Sequence, residues 1–303
     1  MLLLTSILRS LLVICLFFSW AQAYSIDKST CSSYPKGTES LVQNTMGRIS
    51  QALSFVHDGI QNPIEELDNT NEILYKKPTE NSFAKLSEQA LHLLSRWDWR
   101  HRNQPSDSLY FYCKGSAFKP ASDSAGSKWI VAKLPHGTGA AEYDGPSYLD
   151  KDTRPATHIA CAAGAMTEYM YSDKLLAIIL CPPMILEISR GYTDTQPIHN
   201  EQRLEEYMNA DHFLLNVFRS LYQYAFPQHT TSMMDATTGW IESEGLKHDQ
   251  ALTSFYSFAY CVMAKYFTTA VPHSAFLGGL WFDPPAWAAS KALMRDCELM
   301  DEF

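Results

Sequence analysis

Apolar residues in the first third of the chain recur at helical spacing. Leu41, Ile49, Leu53, Val56 and Ile60 keep one phase until Pro63 interrupts it. Phe83, Leu86, Ala90, Leu93 and Leu94 repeat the pattern, with Lys85, Glu88 and Gln89 facing out. The spacing predicts helices between about Thr38 and Trp99, the second opening near Pro78-Thr79-Glu80-Asn81-Ser82. From Ser108 the period changes. Ser108–Cys113 and Lys128–Leu134 are short, rich in aromatic and β-branched residues, and bounded by Gly, Ser and Pro, which predicts strands. Between them and the next element, Pro135 to Pro155 is a polar loop whose Gly137-Thr138-Gly139 has turn chemistry rather than a phosphate-binding spacing. Lys174–Cys181 is almost continuously apolar and ends at Pro182-Pro183, the pattern of a strand buried on both faces. Two long helices follow, about Asn200–Ala225, closed by Pro227, and about Lys247–Thr268. In the second, Ala251, Leu252, Phe255, Phe258, Ala259, Val262 and Met263 make an apolar face. Trp281, Phe282 and Trp287, with Pro284-Pro285, read as an aromatic strap over the core.

The ends of the chain set its expected compartment. Met1 to Ala23 carries one charge, Arg9, a short apolar run from Leu11 to Trp20, and the small-x-small triplet Ala21-Gln22-Ala23. That is the pattern of a cleaved secretory signal, too short for a comfortable membrane span. The expected mature chain is exported and has no membrane association after cleavage. Its length of about 280 residues allows a sizeable core. The boundaries expected are 1–23 for the signal, 24–105 for an N-terminal helical region and 106–303 for the main domain. A formal charge of −9 with no basic stripe excludes a nucleic-acid partner. Cys31, Cys113, Cys161, Cys181, Cys261 and Cys297 stay after cleavage, enough for up to three disulfides in an exported chain, and the spacing does not choose among the pairings. No Asn-x-Ser/Thr sequon and no Cys-x-x-Cys occurs.

Most familiar chemistries are missing. Without Gly-x-Ser-x-Gly there is no nucleophile elbow. Glu205-Glu206 and the pair Glu242 and Glu244 offer carboxylates for glycosidase chemistry, but each pair falls on a polar face. His57 and His92 sit in the first helices as surface or boundary residues. Cys261 lies on an apolar helix, where a disulfide role is expected before a nucleophilic one.

Cys113, then Cys161 with Ala162 and the aromatic Tyr169 and Tyr171, then Leu180-Cys181-Pro182 closing a strand, then two long helices, is an order that resembles the secreted fungal zinc peptidases of the deuterolysin and lysine-specific metallo-endopeptidase group. The likeness covers roughly Ser108 to Phe267. It implies an α+β, zincin-like metallopeptidase fold, a small twisted sheet packed on long helices, here preceded by the helical N-terminal segment. It also implies that the first long helix is the one that carries His-Glu-x-x-His, two imidazoles one turn apart flanking a general base. In frame, the histidine positions hold Asn216 and Ser220 and the glutamate position holds Val217, with Leu214, Leu215 and Leu221 preserving the apolar flanks. Asp235 stands where the third ligand would be, and Ser254–Ala259 matches the aromatic helix beyond it. Asn is a poor zinc ligand, Ser a weak one, and Val cannot activate water. Arg219 adds positive charge that disfavours a cation there.

The expectation is therefore a degenerate, non-catalytic member with no catalytic residue and no cofactor, its vestigial positions Asn216, Val217 and Ser220, acting by binding a peptide or protein ligand in the old substrate cleft. Two alternatives stand beside it. One is an active zinc metallo-endopeptidase with non-standard ligands, His212, His229 and Asp235. The other is an unrelated, disulfide-stapled secreted interaction protein.

Overall fold

A computed structural model describes residues 24–32, 35, 37–59, 74, 80–97, 108–120, 128–131, 141–144, 161, 166–190, 198–229, 239–271, 274–277, 279–286 and 288. The expected signal, Asp235, Trp287, Cys297 and most of the Pro135–Pro155 loop lie outside these residues. The elements in order are β1 (Tyr24–Ile26), α1 (Lys28–Cys31), α2 (Thr38–Gly59), α3 (Glu80–Trp97), β2 (Ser108–Tyr112), β3 (Phe118–Pro120), β4 (Lys128–Val131), β5 (Ala141–Asp144), β6 (Thr167–Ser172) and β7 (Leu175–Leu180). Then come α4 (Pro182–Ser189), α5 (Leu204–Ala210), α6 (His212–Ala225), α7 (Trp240–Glu244), α8 (His248–Ala251), α9 (Phe255–Ala270), β8 (Ala275–Leu277) and β9 (Leu280–Phe282). The class is α+β with a small mixed sheet.

β1 to β7 form a seven-stranded sheet in the order β1-β2-β7-β6-β5-β4-β3. β1, β2 and β7 run parallel, and every pairing from β7 through β6, β5 and β4 to β3 is antiparallel. β7 is the apolar run of the sequence, and both of its faces are covered as expected. Leu176, Ile178 and Leu180 enter the helix-side core, while Ala177 and Ile179 enter a second cluster with Tyr112, Tyr143 and Met170. The strand alternation that does this puts Leu109 and Phe111 of β2 on the helix side and Tyr110 and Tyr112 on the other. Each fully buried Leu, Ile or Phe contributes about 2 kcal/mol of transfer free energy.

On the helix side, α2, α3, α6 and α9 share that one core with the sheet. Phe255 through Ala264 of α9 are all buried. A helix buried all round is a central one, and the single apolar face read from the sequence understates it, because α2 covers what a solvent-facing side would be. Trp281 of β9 is buried against Phe267 of α9, ring centroids 5.8 Å apart, so this part of the tail is the expected strap. Two bridges pin the layers. Cys31–Cys113 ties α1 to the end of β2, and Cys161–Cys181 closes the β6–β7 hairpin at its open end. Cys261 is buried in α9.

Both long helices of the sequence reading are interrupted. The stretch expected as one helix over about Asn200–Ala225 breaks at Asp211, whose backbone leaves the helical region at φ −95° and ψ 69°. Its carboxylate accepts from the Leu214 N–H and from Arg48 Nη1 at 2.7 Å. The N-cap bond starts α6 afresh. The second interruption is at Ser254, whose hydroxyl accepts from the Ser257 N–H and caps α9. Apolar periodicity runs through both breaks, so it could not reveal them.

Candidate functional site

α6 is amphipathic, and Asp211 fixes where it begins. The Arg48–Asp211 ion pair, with Arg48 also donating to the Tyr207 hydroxyl, locks that start to α2. The helix then runs under β6 and β7. Its middle carries Asn216, Val217 and Ser220, the positions that the resemblance aligns with a zinc motif. Val217 is 0% exposed and Ser220 4% exposed. The Ser220 hydroxyl donates to the Asn216 carbonyl at 2.9 Å, and the Asn216 amide donates to the His212 carbonyl at 2.7 Å. Both polar side chains thus bond back onto their own helix, one turn behind. Val217 offers no donor atom, Ser220 is buried with its hydroxyl donating to its own helix, and the Asn216 amide nitrogen does the same.

Of the alternative ligands, the described ones are His212 and His229, and they lie apart. His212 is the first residue of α6, exposed, with Nδ1 at 3.1 Å from both carboxylate oxygens of Glu187 on α4. His229 lies beyond the other end of the helix, where its Nδ1 meets the Tyr222 hydroxyl at 3.1 Å. Tyr222, the partner of His229, lies ten helical positions beyond His212, roughly 15 Å at 1.5 Å per residue. Two imidazoles on one zinc each sit about 2 Å from the metal. His212 and His229 therefore cannot share a coordination sphere, and Asp235 lies outside the described residues. Among the described residues, the one group of three potential donors is Cys161, Glu168 and Cys181. Its two sulfurs are joined as a disulfide, and the buried Glu168 carboxylate accepts from the Cys161 N–H at 2.6 Å. That bond holds Cys161 at φ 75°, a left-handed turn, so the group is a structural corner.

Carboxylates pair across the chain rather than within the pairs of the sequence. Glu205 accepts from the Trp240 N–H at 3.0 Å, at the start of α7. A Cβ on Gly239 would meet carboxylate oxygens of both Glu242 and Glu205. Both acids gather at that helix start, where backbone N–H groups favour negative charge. Burial, reinforced by Glu205, Tyr256 and Glu242, pushes the Tyr260 phenol far up, so it stays neutral.

One turn beyond Ser220 the half-buried Gln223 reaches the surface, while Tyr224 beside it is buried with one edge exposed. Gln223 and Tyr224 form one wall of a cleft of about 240 Å³; Tyr169, Tyr171 and Asp173 form another, and Arg96 from the end of α3 borders it. Tyr169 and Tyr171 occupy alternate positions of β6, so both point to its helix side. Their rings lie 27° apart in plane with centroids at 6.2 Å, and Tyr224 meets Tyr171 at 64°. The Tyr224 hydroxyl donates to the Ser172 and Asp173 carbonyls, which fixes the corner. The Arg96 guanidinium lies 5.3 Å from the Tyr224 ring centroid, and its Nε donates to His92 Nε2.

Behind the cleft, Phe226 is flanked by two imidazoles. His229 stacks on it at 5.2 Å and 10°, and His92 approaches at 5.2 Å. Burial, with a contribution from Lys85, holds the His229 imidazole below its ordinary range and so neutral at pH 7. The Tyr222 phenol, raised by burial alone, shares a hydrogen bond with it.

The sequence reading quoted Tyr169 and Tyr171 only as markers of the resemblance and did not single out Arg96, Asp173, Gln223 or Tyr224. The i, i+2 spacing of the two tyrosines was the available signal for a shared strand face. The chain matches no protein-family model, no curated protein and no solved structure.

Proposed function

We propose that the protein is exported, descends from a zincin-like metallopeptidase, and acts by binding rather than by hydrolysis, with the cleft between β6 and the last turns of α6 as its binding site. The observation that carries this reading is the state of α6: at the three motif positions the side chains are packed or bonded to their own backbone, and one turn on, the helix lines an open cleft. Support for the fold comes from the mixed sheet with its helices on one face, from α6 lying beneath β6 and β7, and from an aromatic helix, α9, behind it. The two disulfides suit an exporting route.

Among the described residues no zinc ligand set assembles at α6, and without bound zinc the peptidase mechanism has no Lewis acid. What this chain supplies at the cleft is fixed shape, flat aromatic surface and a few oriented polar groups, the ordinary make-up of a small-ligand site. The test is cleavage of an unfolded protein and of a mixed peptide library by the secreted protein, with and without added zinc and with and without chelator. No cleavage under any condition is expected. Chelator-sensitive cleavage would overturn the proposal.

A further inference from the structure

We infer that the occupant of the β6–α6 cleft is a neutral saccharide, one ring of a longer glycan seated against the tyrosine corner. The inference rests on the binding reading above and departs from the peptide or protein ligand that the resemblance implies.

The argument starts from the surface chemistry of the cleft. Its aromatic surface is tyrosine: Tyr169 and Tyr171 present neighbouring rings only 27° from parallel along one strand face, and Tyr224 stands across them. The described lining contains no Leu, Ile, Val or Met. An aliphatic peptide anchor is normally held in a well-packed pocket of branched apolar side chains; here the apolar lining is Pro227 and the tyrosine rings. Among the described lining residues the charged ones are Arg96 and Asp173, of opposite sign. An ionic ligand of either sign therefore meets a like charge beside the opposite one.

A neutral ligand with an apolar face and a polar edge matches every element of this set. A pyranose is such a body: its axial C–H bonds make a flat apolar face, and its hydroxyls at the rim both donate and accept. The C–H face fits the tyrosine rings, whose π surfaces carry partial negative charge. The hydroxyl rim needs donors and acceptors together, and Arg96 donates, Asp173 accepts, and Gln223 does both. The volume, about 240 Å³, holds one ring rather than a long segment, and the cleft is open so that neighbouring rings can run out along the surface. Tyr171 is 41% exposed and is the aromatic member of the exposed large apolar side chains among the described residues. Burying an apolar ring face is what gains free energy there.

The corner is also built in advance. Tyr224 is held by two backbone carbonyls of the β6–β7 turn, and Arg96 is held by His92 and by the Tyr224 ring. Preorganised walls lower the ordering cost of a weakly attractive ligand.

The test is calorimetric or NMR titration of the secreted full chain with neutral oligosaccharides of β-1,4-glucose, β-1,3-glucose, β-1,4-N-acetylglucosamine and mannose, alongside an oligogalacturonate and an extended peptide library. The same panel is run on Tyr171→Ala and Gln223→Ala. Saturable binding of at least one neutral oligosaccharide, with Kd tighter than about 1 mM, and at least about tenfold weaker binding in Tyr171→Ala, is the expected result. No neutral saccharide binding up to 10-fold above that concentration overturns the inference, and so does saccharide binding that Tyr171→Ala leaves unchanged. A peptide or the acidic saccharide binding instead, and losing affinity in Tyr171→Ala, also overturns it but leaves the cleft as the binding site. Chelator-sensitive peptide cleavage removes the binding reading itself, so the two failures are told apart. Circular dichroism of Tyr171→Ala, an exposed position, confirms that a loss of binding is not a loss of fold.

Discussion

Val217 and Ser220 in the middle of α6 are closed off between the sheet and the other helices, whereas Gln223 and Tyr224, one turn on, border a cleft open to solvent. The two stretches belong to one helix with one N-cap, so the difference is not one of local order. It comes from what lies across from them. Opposite the middle of the helix the core is filled by aliphatic and aromatic side chains. Opposite its end, β6 reaches the hairpin turn, and the chain there presents tyrosines and an aspartate. The comparison teaches where function can reside in this scaffold. At the middle, the inward face of the helix, Val217, Phe218 and Ser220, is packed in the core, while at the end Gln223 and Tyr224 line a cleft that also holds Arg96 and Asp173.

Placing a charge at the sealed position breaks the comparison most severely. Val217→Glu, the in-frame general base of the zinc motif, should destabilise the fold by about 4 kcal/mol, because a carboxylate there has neither water nor a counter-charge. Urea unfolding followed by tryptophan fluorescence measures it, and a loss below 1 kcal/mol would mean that the middle of α6 is open. Removing the start of the helix comes next. Asp211→Ala deletes the N-cap and the partner of Arg48, a pair with both side chains 12% exposed. The expected loss is about 3 kcal/mol, the cap and the uncompensated guanidinium together, read from the same unfolding midpoint with the slope unchanged.

A smaller effect sharpens the contrast at the far end of the helix. His229 titrates below its ordinary 6.5 because burial opposes its charge. The unfolded chain therefore binds the proton more readily than the folded one. The contribution to stability is complete above pH 6.5 and is lost as the pH falls from there through the lowered folded-state value. The melting temperature of the protein should fall between pH 7 and pH 5 by more than that of His229→Gln, and equal slopes would contradict the assignment. Smallest of all in stability is Tyr171→Ala. An exposed side chain at the cleft should change the unfolding free energy by less than about 0.5 kcal/mol, although the ligand-binding readout responds strongly. A large stability loss would show Tyr171 to be a packing residue.

The sequence carried much of the architecture. The helical period of Leu41 to Val56 and of Leu86 to Leu94 corresponds to α2 and α3, and the apolar run at Leu175–Leu180 corresponds to the doubly covered β7. These segments are legible because burial on a fixed face leaves a period. β1 and β3 were not, since strands of three residues are too short to show alternation. The breaks at Asp211 and Ser254 were missed because a cap is a single side-chain bond superimposed on an unbroken apolar pattern. The absence of His-Glu-x-x-His was plain from spacing alone, but not that Asn216 and Ser220 bond to their own helix. The cleft stayed hidden for a different reason. Arg96, Tyr171 and Tyr224 come from three separate elements, and nothing local ties an arginine at a helix end to a tyrosine on a strand.

Zinc titration of the metal-stripped, secreted protein, followed by elemental analysis after dialysis, puts the sealed helix to the most direct trial. With Asn216, Val217 and Ser220 committed to packing and to their own backbone, and with His212 and His229 at opposite ends of α6, no stoichiometric zinc should remain. One equivalent of zinc held through dialysis and removed by chelator would contradict the reading, and would mean that other residues bring a metal into the cleft.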